Sequence, residues 1–314
     1  MTKKSAFRIY RNLFSRKIYF LLSLVIITAL SFTFYNKFVT AQDAGQGLTV
    51  SPPTQEATID PGGTTTITAK IRNDGNATLP ISVHIEDFTA QGSGGEVALT
   101  PNSPYSIASW TKVTPSSFQL DPGEEQVVTA TITAPKNSAG GHYGSFVFGV
   151  VPPKTSGSAA ALAQEVASLF LVRVNGPVNE KLTLKGISAP AYSEFGPVPF
   201  SLDFVNDGNV HVKTFGIVNV RDMFGNKVAD IVVPGTEVFP SAERQIQAQL
   251  NKRFLIGNYT ATAIMYYGSQ NLNLTADTTF FVFPTRIAII VIIILVILYL
   301  MRKRLRKAGK ALFK

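Results

Sequence analysis

Two copies of the tetrapeptide NDGN place several side-chain oxygens close together, which is the kind of ligand set that a calcium ion needs. The copies are Asn73–Asn76 and Asn206–Asn209. A calcium loop of the EF-hand type requires alternating oxygen ligands and a distal glutamate, and neither copy has that acid at the right spacing. The pattern therefore predicts a tight turn, in which Asp-Gly adopts positive φ and asparagine caps nearby backbone groups.

The other residue types that carry chemistry do not form a recognisable site. His84, His142 and His211 are far apart in the chain, and the sequence contains no cysteine, so thiolate ligands and cysteine nucleophiles are excluded. No nucleophile elbow, S-x-x-K motif, phosphate-binding loop or G-x-G-x-x-G fingerprint occurs. We therefore predict a protein without catalytic activity, cofactor or metal.

A Gly/Ser-rich insert, Thr89–Ser106, is the best candidate for a binding loop. The only tryptophan, Trp110, follows it closely, and an exposed aromatic ring beside such a loop can stack on a sugar. The competing interpretation places Trp110 in the core or at a sheet edge. The predicted ligand surface consists of Gly92, Gly94, Gly95, Tyr105 and Trp110.

The elements that would position these residues are β-strands. Between Leu48 and Val282, short runs rich in Thr, Val, Ile and Phe alternate apolar and polar residues and are separated by Pro and Gly. This pattern predicts an all-β fold of two tandem immunoglobulin-like β-sandwiches. We expect sandwich 1 over 48–151, sandwich 2 over 179–284, and a linker or the start of the second domain over 152–178. One part of that stretch, Ser156–Phe170, is interpreted as a helical or flexible link, and strand character resumes in LVRVNG at Leu171–Gly176.

The order of short motifs indicates that one module occurs twice. Each copy has a strand ending in NDGN and, later, a strand that begins with a Gly-x-Tyr element, GHYG at Tyr143 and GNYT at Tyr259. A tyrosine there commonly bonds back to the backbone at a sandwich corner, and we predict this role for both. The DPG elements at Asp60–Gly62 and Asp121–Gly123 predict turns.

The strongly basic composition is confined to the two ends of the chain. The net charge is +9, from 29 basic and 20 acidic residues. Six basic residues precede Ile18 and seven follow Met301, so residues 18–301 carry 16 basic against 20 acidic residues. Nucleic-acid binding therefore loses its main support.

Both basic ends adjoin uncharged apolar runs, Ile18–Phe34 and Ile287–Met301. We predict a transmembrane helix over 285–301 and a basic cytoplasmic tail over 302–314, since positive charge marks the cytoplasmic side. Residues 1–41 are either a signal peptide cleaved after Ala41 or a retained signal anchor. The expected location is the plasma membrane, single-pass after cleavage and two-pass without it, with both sandwiches outside the cell.

Several elements of the first module resemble the first domain of the WxL-interacting proteins of bacterial cell surfaces. They are the turn and strand IDPGGTTTITAKIRNDGN, the second turn QLDPGEE and the strand start GGHYGSFVFGV. A second sandwich, a C-terminal membrane helix and a basic tail complete that layout. The resemblance implies peptidoglycan binding by the first domain and partner or host proteins for the second, with no individual binding residue.

The combined prediction is a non-catalytic surface protein, anchored in the membrane, that binds cell-wall peptidoglycan, surface proteins or both. Its binding surfaces would be exposed edge strands and the Thr89–Ser106 loop, because a sheet edge can add a partner's strand. The alternative is an exported chaperone or assembly factor that presents an edge strand to secreted subunits. The ligand and the oligomeric state stay open.

Overall fold

The computed structural model describes residues 47–101, 103–151 and 164–312, and the side chains of the last helix up to Leu300 together with Arg302. These residues belong to one compact unit. It contains two β-sandwiches followed by one long helix, which confirms the predicted all-β fold of tandem sandwiches. The predicted signal peptide or anchor, 1–41, lies outside the described residues.

In the described residues, sandwich 1 contains ten strands and one short 3-10 helix, η1, at Ala108–Trp110. One sheet has the order β1-β3-β8-β6 and the other β2-β10-β9-β4-β5, with β7 also paired to β4. The strands are β1 (Leu48–Ser51), β2 (Thr54–Ile59), β3 (Thr64–Asn73), β4 (Leu79–Gln91), β5 (Glu96–Leu99), β6 (Thr111–Thr114), β7 (Ser117–Leu120), β8 (Glu125–Thr133), β9 (Gly140–Val150) and β10 (Glu165–Val174).

Sandwich 2 has a three-stranded sheet, β11-β13-β16, and a five-stranded sheet, β12-β18-β17-β14-β15. Its strands are β11 (Leu182–Ser188), β12 (Tyr192–Ser193), β13 (Val198–Asn206), β14 (Val212–Asp222), β15 (Lys227–Val238), β16 (Glu243–Leu250), β17 (Gly257–Tyr267) and β18 (Leu272–Val282). In both sandwiches the first strand lies in one sheet and the second strand lies in the other. The second strand (β2 or β12) pairs in parallel with the last strand of its sandwich (β10 or β18). This shared order is that of an immunoglobulin-like sandwich and agrees with a duplicated module.

Alternation along the strands produces the core of each sandwich. In β3 the buried positions include Ile67, Ala69 and Ile71, which is the face that the sequence predicts. The equivalent core of sandwich 2 includes Phe200, Leu202 and Phe204 on β13. Because side chains point to opposite faces with a period of two, each strand contributes one apolar row.

The first sandwich extends further than its sequence pattern indicates. Strand β10 lies between β2 and β9, so residues 165–174 belong to sandwich 1, beyond the predicted boundary at Val151. An interior strand covered on both faces has a continuous apolar run instead of alternation, and Phe170, Leu171 and Val172 are all buried. The interpretation of Ser156–Phe170 as a link is therefore wrong from Glu165 onward.

The helix that follows sandwich 2, α1 (Thr285–Leu312), is separated from the end of β18 by two residues. It passes through the predicted boundary at Met301, so the basic segment continues the helix instead of forming a separate tail. Its apolar side chains from Ile289 to Leu300 are exposed. In the part of the chain that the structure describes, no helix is both long and apolar enough to count as a membrane span.

Candidate functional site

The two NDGN turns have the same internal geometry. In the first, the Asn73 side-chain amide donates to the carbonyls of Ala77 at 2.8 Å and Leu120 at 2.9 Å, and its Oδ1 accepts the Gly75 N–H. Asn206 makes the equivalent three bonds with Val210, Val238 and Gly208. Both asparagines are fully buried. The predicted capping role is thereby confirmed, but the predicted positive φ of the Asp-Gly pair is wrong, because neither Asp74 and Gly75 nor Asp207 and Gly208 adopt positive φ.

No group of three or more metal-ligating side chains occurs among the described residues. In the first turn, Asp74 is already engaged by the hydroxyl of Thr49 at 2.5 Å and by the guanidinium of Arg72 at 2.6 Å. The hydrogen bond from Thr49 and the charge of Arg72 lower the pKa of this exposed carboxyl. Its oxygens therefore serve the local turn.

The two tyrosines of the Gly-x-Tyr elements bind different partners. The Tyr259 hydroxyl accepts the N–H of Ile256 at 3.0 Å and lies 3.2 Å from the carbonyl of the same residue, as predicted for a sandwich corner. The Tyr143 hydroxyl instead accepts the N–H of His211, in the other sandwich, at 2.8 Å. The corner prediction is wrong for Tyr143, because sandwich 2 packs directly on the sheet that carries it.

Tyr143 is the centre of an aromatic cluster that joins the two sandwiches. The ring of Phe239, from sandwich 2, packs edge-on against Phe88 at 5.5 Å and against Tyr143 at 5.0 Å. Tyr105 lies 5.8 Å from Tyr143 between ring centres, and its hydroxyl is 3.1 Å from Oγ of Ser241. We call this set of five residues the junction cluster. Edge-on aromatic packing of this kind stabilises an interface beyond the burial of area.

The Gly/Ser-rich insert folds into a β-hairpin, β4–β5, whose tip reaches sandwich 2. The Gln245 N–H donates to the carbonyl of Ser93 at 2.8 Å. Gly95 has a φ of +95°, and a Cβ there would overlap the guanidinium of Arg244. The tip therefore contacts β16.

The five residues of the predicted ligand surface are consequently divided between locations. Gly92 and Gly94 are exposed, Gly95 faces Arg244, and Tyr105 belongs to the junction cluster. Trp110 is half-buried, with its ring 4.4 Å from that of His142, and packs against the core of sandwich 1. Sugar binding by this set stays a prediction.

A second feature of the junction was not visible in the sequence: a cavity of about 320 Å³ between the sandwiches. Glu56, Ala57 and Thr58 of β2 border it on one side. From sandwich 2 and the connection to it come Glu180, His211, Val212, Lys213, Phe215, Glu237, Gly268 and Ser269, and Arg173 of β10 completes the lining.

Strand β2 brings a free sheet edge to this cavity. Its only strand partner among the described residues is β10. The N–H groups of Leu169 and Asn175 donate to the carbonyls of Pro53 and Ile59, so every second residue of β2 turns its peptide groups toward β10. The peptide groups of Thr54, Glu56 and Thr58 consequently face away from the sheet.

Charged groups of both signs line the cavity. Arg173 donates to Glu180 at 2.5 Å, and the Glu180 carboxylate also accepts the Ser269 N–H at 2.7 Å. Burial opposes ionisation of Glu180, but the hydrogen bonds from Arg173 and Ser269 outweigh it and lower the pKa. This ion pair is therefore already satisfied within the chain.

Glu237 is less well satisfied. Its Oε1 is buried and accepts no hydrogen bond, although the ammonium of Lys213 lies 3.5 Å away. That distance allows ionic attraction but is too long for good hydrogen-bond geometry. Burial, followed by repulsion from Glu56, raises the pKa of Glu237. A buried carboxylate oxygen without a donor favours a ligand that brings one.

His211 is the third titratable group of the cavity. Burial, together with the positive charge of Arg173, lowers its pKa to about 4. Its Nδ1 lies 3.2 Å from the Tyr143 hydroxyl, an arrangement that suits a neutral ring accepting from the phenol. Burial also raises the pKa of Tyr143, so both partners stay uncharged near neutral pH.

Comparisons with known proteins give structural neighbours only. No protein-family model and no curated protein matches the chain. A chaperone–tip adhesin complex of CFA/I fimbriae is 12% identical, with 75% of this chain and 98% of that chain covered at a TM-score of 0.39. The YadV chaperone is 12% identical, covering 74% and 98% at 0.35. The E. coli chaperone DraB is 14% identical, covering 75% and 97% at 0.33.

Proposed function

We propose that this protein is a non-catalytic binding protein that captures an extended polypeptide segment along β2 and in the adjoining cavity. The carrying observation is the free edge of β2, whose outward peptide groups at Thr54, Glu56 and Thr58 have no partner strand among the described residues. An extended segment can pair with such an edge through main-chain hydrogen bonds. This corresponds to the assembly-factor alternative.

The cavity gives this edge a chemical preference. A bound segment that leaves β2 enters a space in which Oε1 of Glu237 accepts no hydrogen bond, with Lys213 at 3.5 Å, and Phe215 offers an apolar ring. An amide N–H or an ammonium group would satisfy the carboxylate, and an aliphatic side chain would cover the ring. We therefore propose that the ligand is an apolar extended segment with a donor group near one end.

The proposal includes a membrane anchor at the C-terminus. Its support is the uncharged run Ile287–Met301 followed by seven basic residues, together with the exposure of apolar side chains around α1. A run of this length is shorter than the hydrocarbon core and is matched by local thinning of the bilayer and by snorkelling of flanking residues, and the basic segment would contact the anionic inner leaflet. Both sandwiches would then face the exterior, where exported polypeptides are encountered.

Peptidoglycan binding and membership of the WxL-interacting family remain separate proposals. Of the predicted ligand residues, Tyr105 and Gly95 contact the other sandwich, so a wall polymer would have to use Gly92, Gly94 and the open side of Trp110. Retention of the full chain on purified sacculi, and its loss in Trp110→Ala, would support that proposal.

The edge proposal is tested by a pair of substitutions at Thr58. Thr58→Pro removes an outward N–H without touching a bond to β10, and proline is tolerated at sheet edges for this reason. Thr58→Ala removes the same side chain and keeps the N–H. The probe is a fluorescent library of ten-residue peptides with alternating apolar residues, added to full-length protein in detergent.

We expect peptides that bind the wild-type chain to bind Thr58→Ala equally and Thr58→Pro about tenfold more weakly, because one or two main-chain hydrogen bonds are lost. Glu56→Pro and Glu56→Ala repeat the comparison two residues earlier on the same strand. Equal affinities for the proline and alanine variants at both positions, or a library without any binder, would contradict the proposal.

A further inference from the structure

The end of sandwich 2 from which α1 leaves carries a group of exposed apolar side chains. Strand register places three loops at this end, since β18 ends opposite the start of β17, β14 ends opposite Tyr259, and β13 begins opposite the end of β16. Phe224 is 82% exposed, Phe254 76% and Ile256 67%, and Met223 is also exposed. We call these four residues the apolar collar.

The start of α1 is fixed to the same end. The Tyr192 hydroxyl donates to the carbonyl of Phe283 at 2.9 Å, and the Phe283 N–H donates to the carbonyl of Ser193 at 3.0 Å. Glu194 accepts from the Thr285 hydroxyl and pairs with Arg286 at 3.2 Å. Because only two residues separate β18 from α1, the helix starts within roughly 10 Å of the sandwich end.

The charges at this end favour an anionic surface. Lys252 and Arg253 are exposed beside Phe254 and make no ion pair with any carboxylate that the structure describes. The carboxylate of Asp222 is engaged within its own turn, where it accepts the N–H groups of Phe224 and Asn226 at 2.9 Å each. Apolar rings flanked by basic residues are the composition of a surface that lies in a lipid headgroup layer.

We propose that the apolar collar inserts into the outer headgroup region of the bilayer, so that sandwich 2 stands on the membrane in a fixed orientation. This inference rests on the proposed membrane anchor. A helix attached this closely brings the collar to the bilayer surface, where lipid covers the exposed rings at little cost in entropy. The β2 edge and its cavity lie in and beside sandwich 1, at the opposite end of sandwich 2, and would be held away from the membrane.

Single-cysteine labelling tests this inference, because the natural chain has no cysteine. Phe224→Cys and Phe254→Cys are each labelled with an environment-sensitive bimane in the full-length protein, which is reconstituted in phosphatidylcholine vesicles with and without phosphatidylglycerol. The control is Val232→Cys, an apolar position of the same sandwich that is 74% exposed on the edge strand β15. Lipids carrying a nitroxide near the headgroup are the quencher.

We expect quenching by about half at positions 224 and 254 and little at 232, as for side chains that lie in the interface. Co-sedimentation and resistance to carbonate extraction are measured on the same samples. Protein that is inserted but quenched at neither collar position overturns the collar while leaving the anchor intact. Protein that does not co-sediment refutes the anchor and the collar together, and equal quenching at 232 refutes a specific collar.

Discussion

The hydroxyl of Tyr143 in sandwich 1 accepts the backbone N–H of His211 in sandwich 2 at 2.8 Å. Tyr143 is buried, and on its own sheet it lies beside Leu171, which in turn lies beside Glu56 of β2. One cross-strand row therefore connects the junction cluster to the free edge.

Tyr143→Phe should loosen the junction without disturbing either core. The substitution leaves the His211 N–H without a partner in a partly buried position, which costs about 2 kcal/mol. Hydrogen exchange followed by mass spectrometry should show faster exchange of the His211 amide. Thermal unfolding should show a lower melting temperature. Tyr259→Phe is the matched control, because its hydroxyl bonds within sandwich 2. Unchanged exchange at His211 in Tyr143→Phe would contradict the interdomain bond.

Stability should fall in mild acid because of His211. Its pKa of about 4 in the folded protein lies below the ordinary 6.5, so the unfolded chain takes up a proton first as the pH falls. The stabilising contribution is complete above pH 6.5 and is lost as the pH falls toward about 4, with a total on the order of 3 kcal/mol.

His211→Phe keeps the backbone N–H and the ring packing but removes the titration. Melting temperatures measured between pH 7 and pH 4 should therefore decline less steeply in this variant than in the wild type. His84→Gln, at an exposed position with only a surface pair to Glu86, serves as the control and should keep the wild-type slope. A wild-type slope in His211→Phe would show that other groups cause the acid sensitivity.

Local chemistry explains what the sequence could predict. Alternation located the core faces, and the NDGN turns together with the Gly-x-Tyr elements identified the repeat, because these signals act within a few residues. The contacts of Gly95 with Arg244 and of Tyr143 with His211 join residues 149 and 68 positions apart, and nothing in a short window encodes such pairs. The cavity was missed for the same reason. The first half of β10, up to Phe170, was assigned to a link because interior strands lack alternation, whereas strand character from Leu171 onward was predicted.

Alanine substitutions at two glycines distinguish the free-energy cost of a strained backbone conformation from that of a steric overlap. Gly123 has a φ of +75° with no atom near a Cβ, whereas Gly95 combines a φ of +95° with the overlap on Arg244. Gly123→Ala should cost about 1 kcal/mol, and Gly95→Ala should cost more because Arg244 must move. Adding Arg244→Ala should recover the difference in a double-mutant cycle. Equal costs and no coupling would mean that the hairpin tip does not contact β16.

Asn73 and Asn206 provide a test of the duplicated module itself. Each side chain bonds three backbone groups at the same place in its sandwich. Asn73→Ala and Asn206→Ala should therefore lower the free energy of unfolding by a similar amount, about 3 kcal/mol, because two buried carbonyls and one N–H are left unpaired. Asn→Asp should be at least as harmful at both positions, because a carboxylate would face two carbonyl oxygens without a proton to donate. Denaturant unfolding of the four variants measures this. A large loss at one position with almost none at the other would mean that only one copy depends on the buried amide, and the equivalence of the two turns would then be superficial.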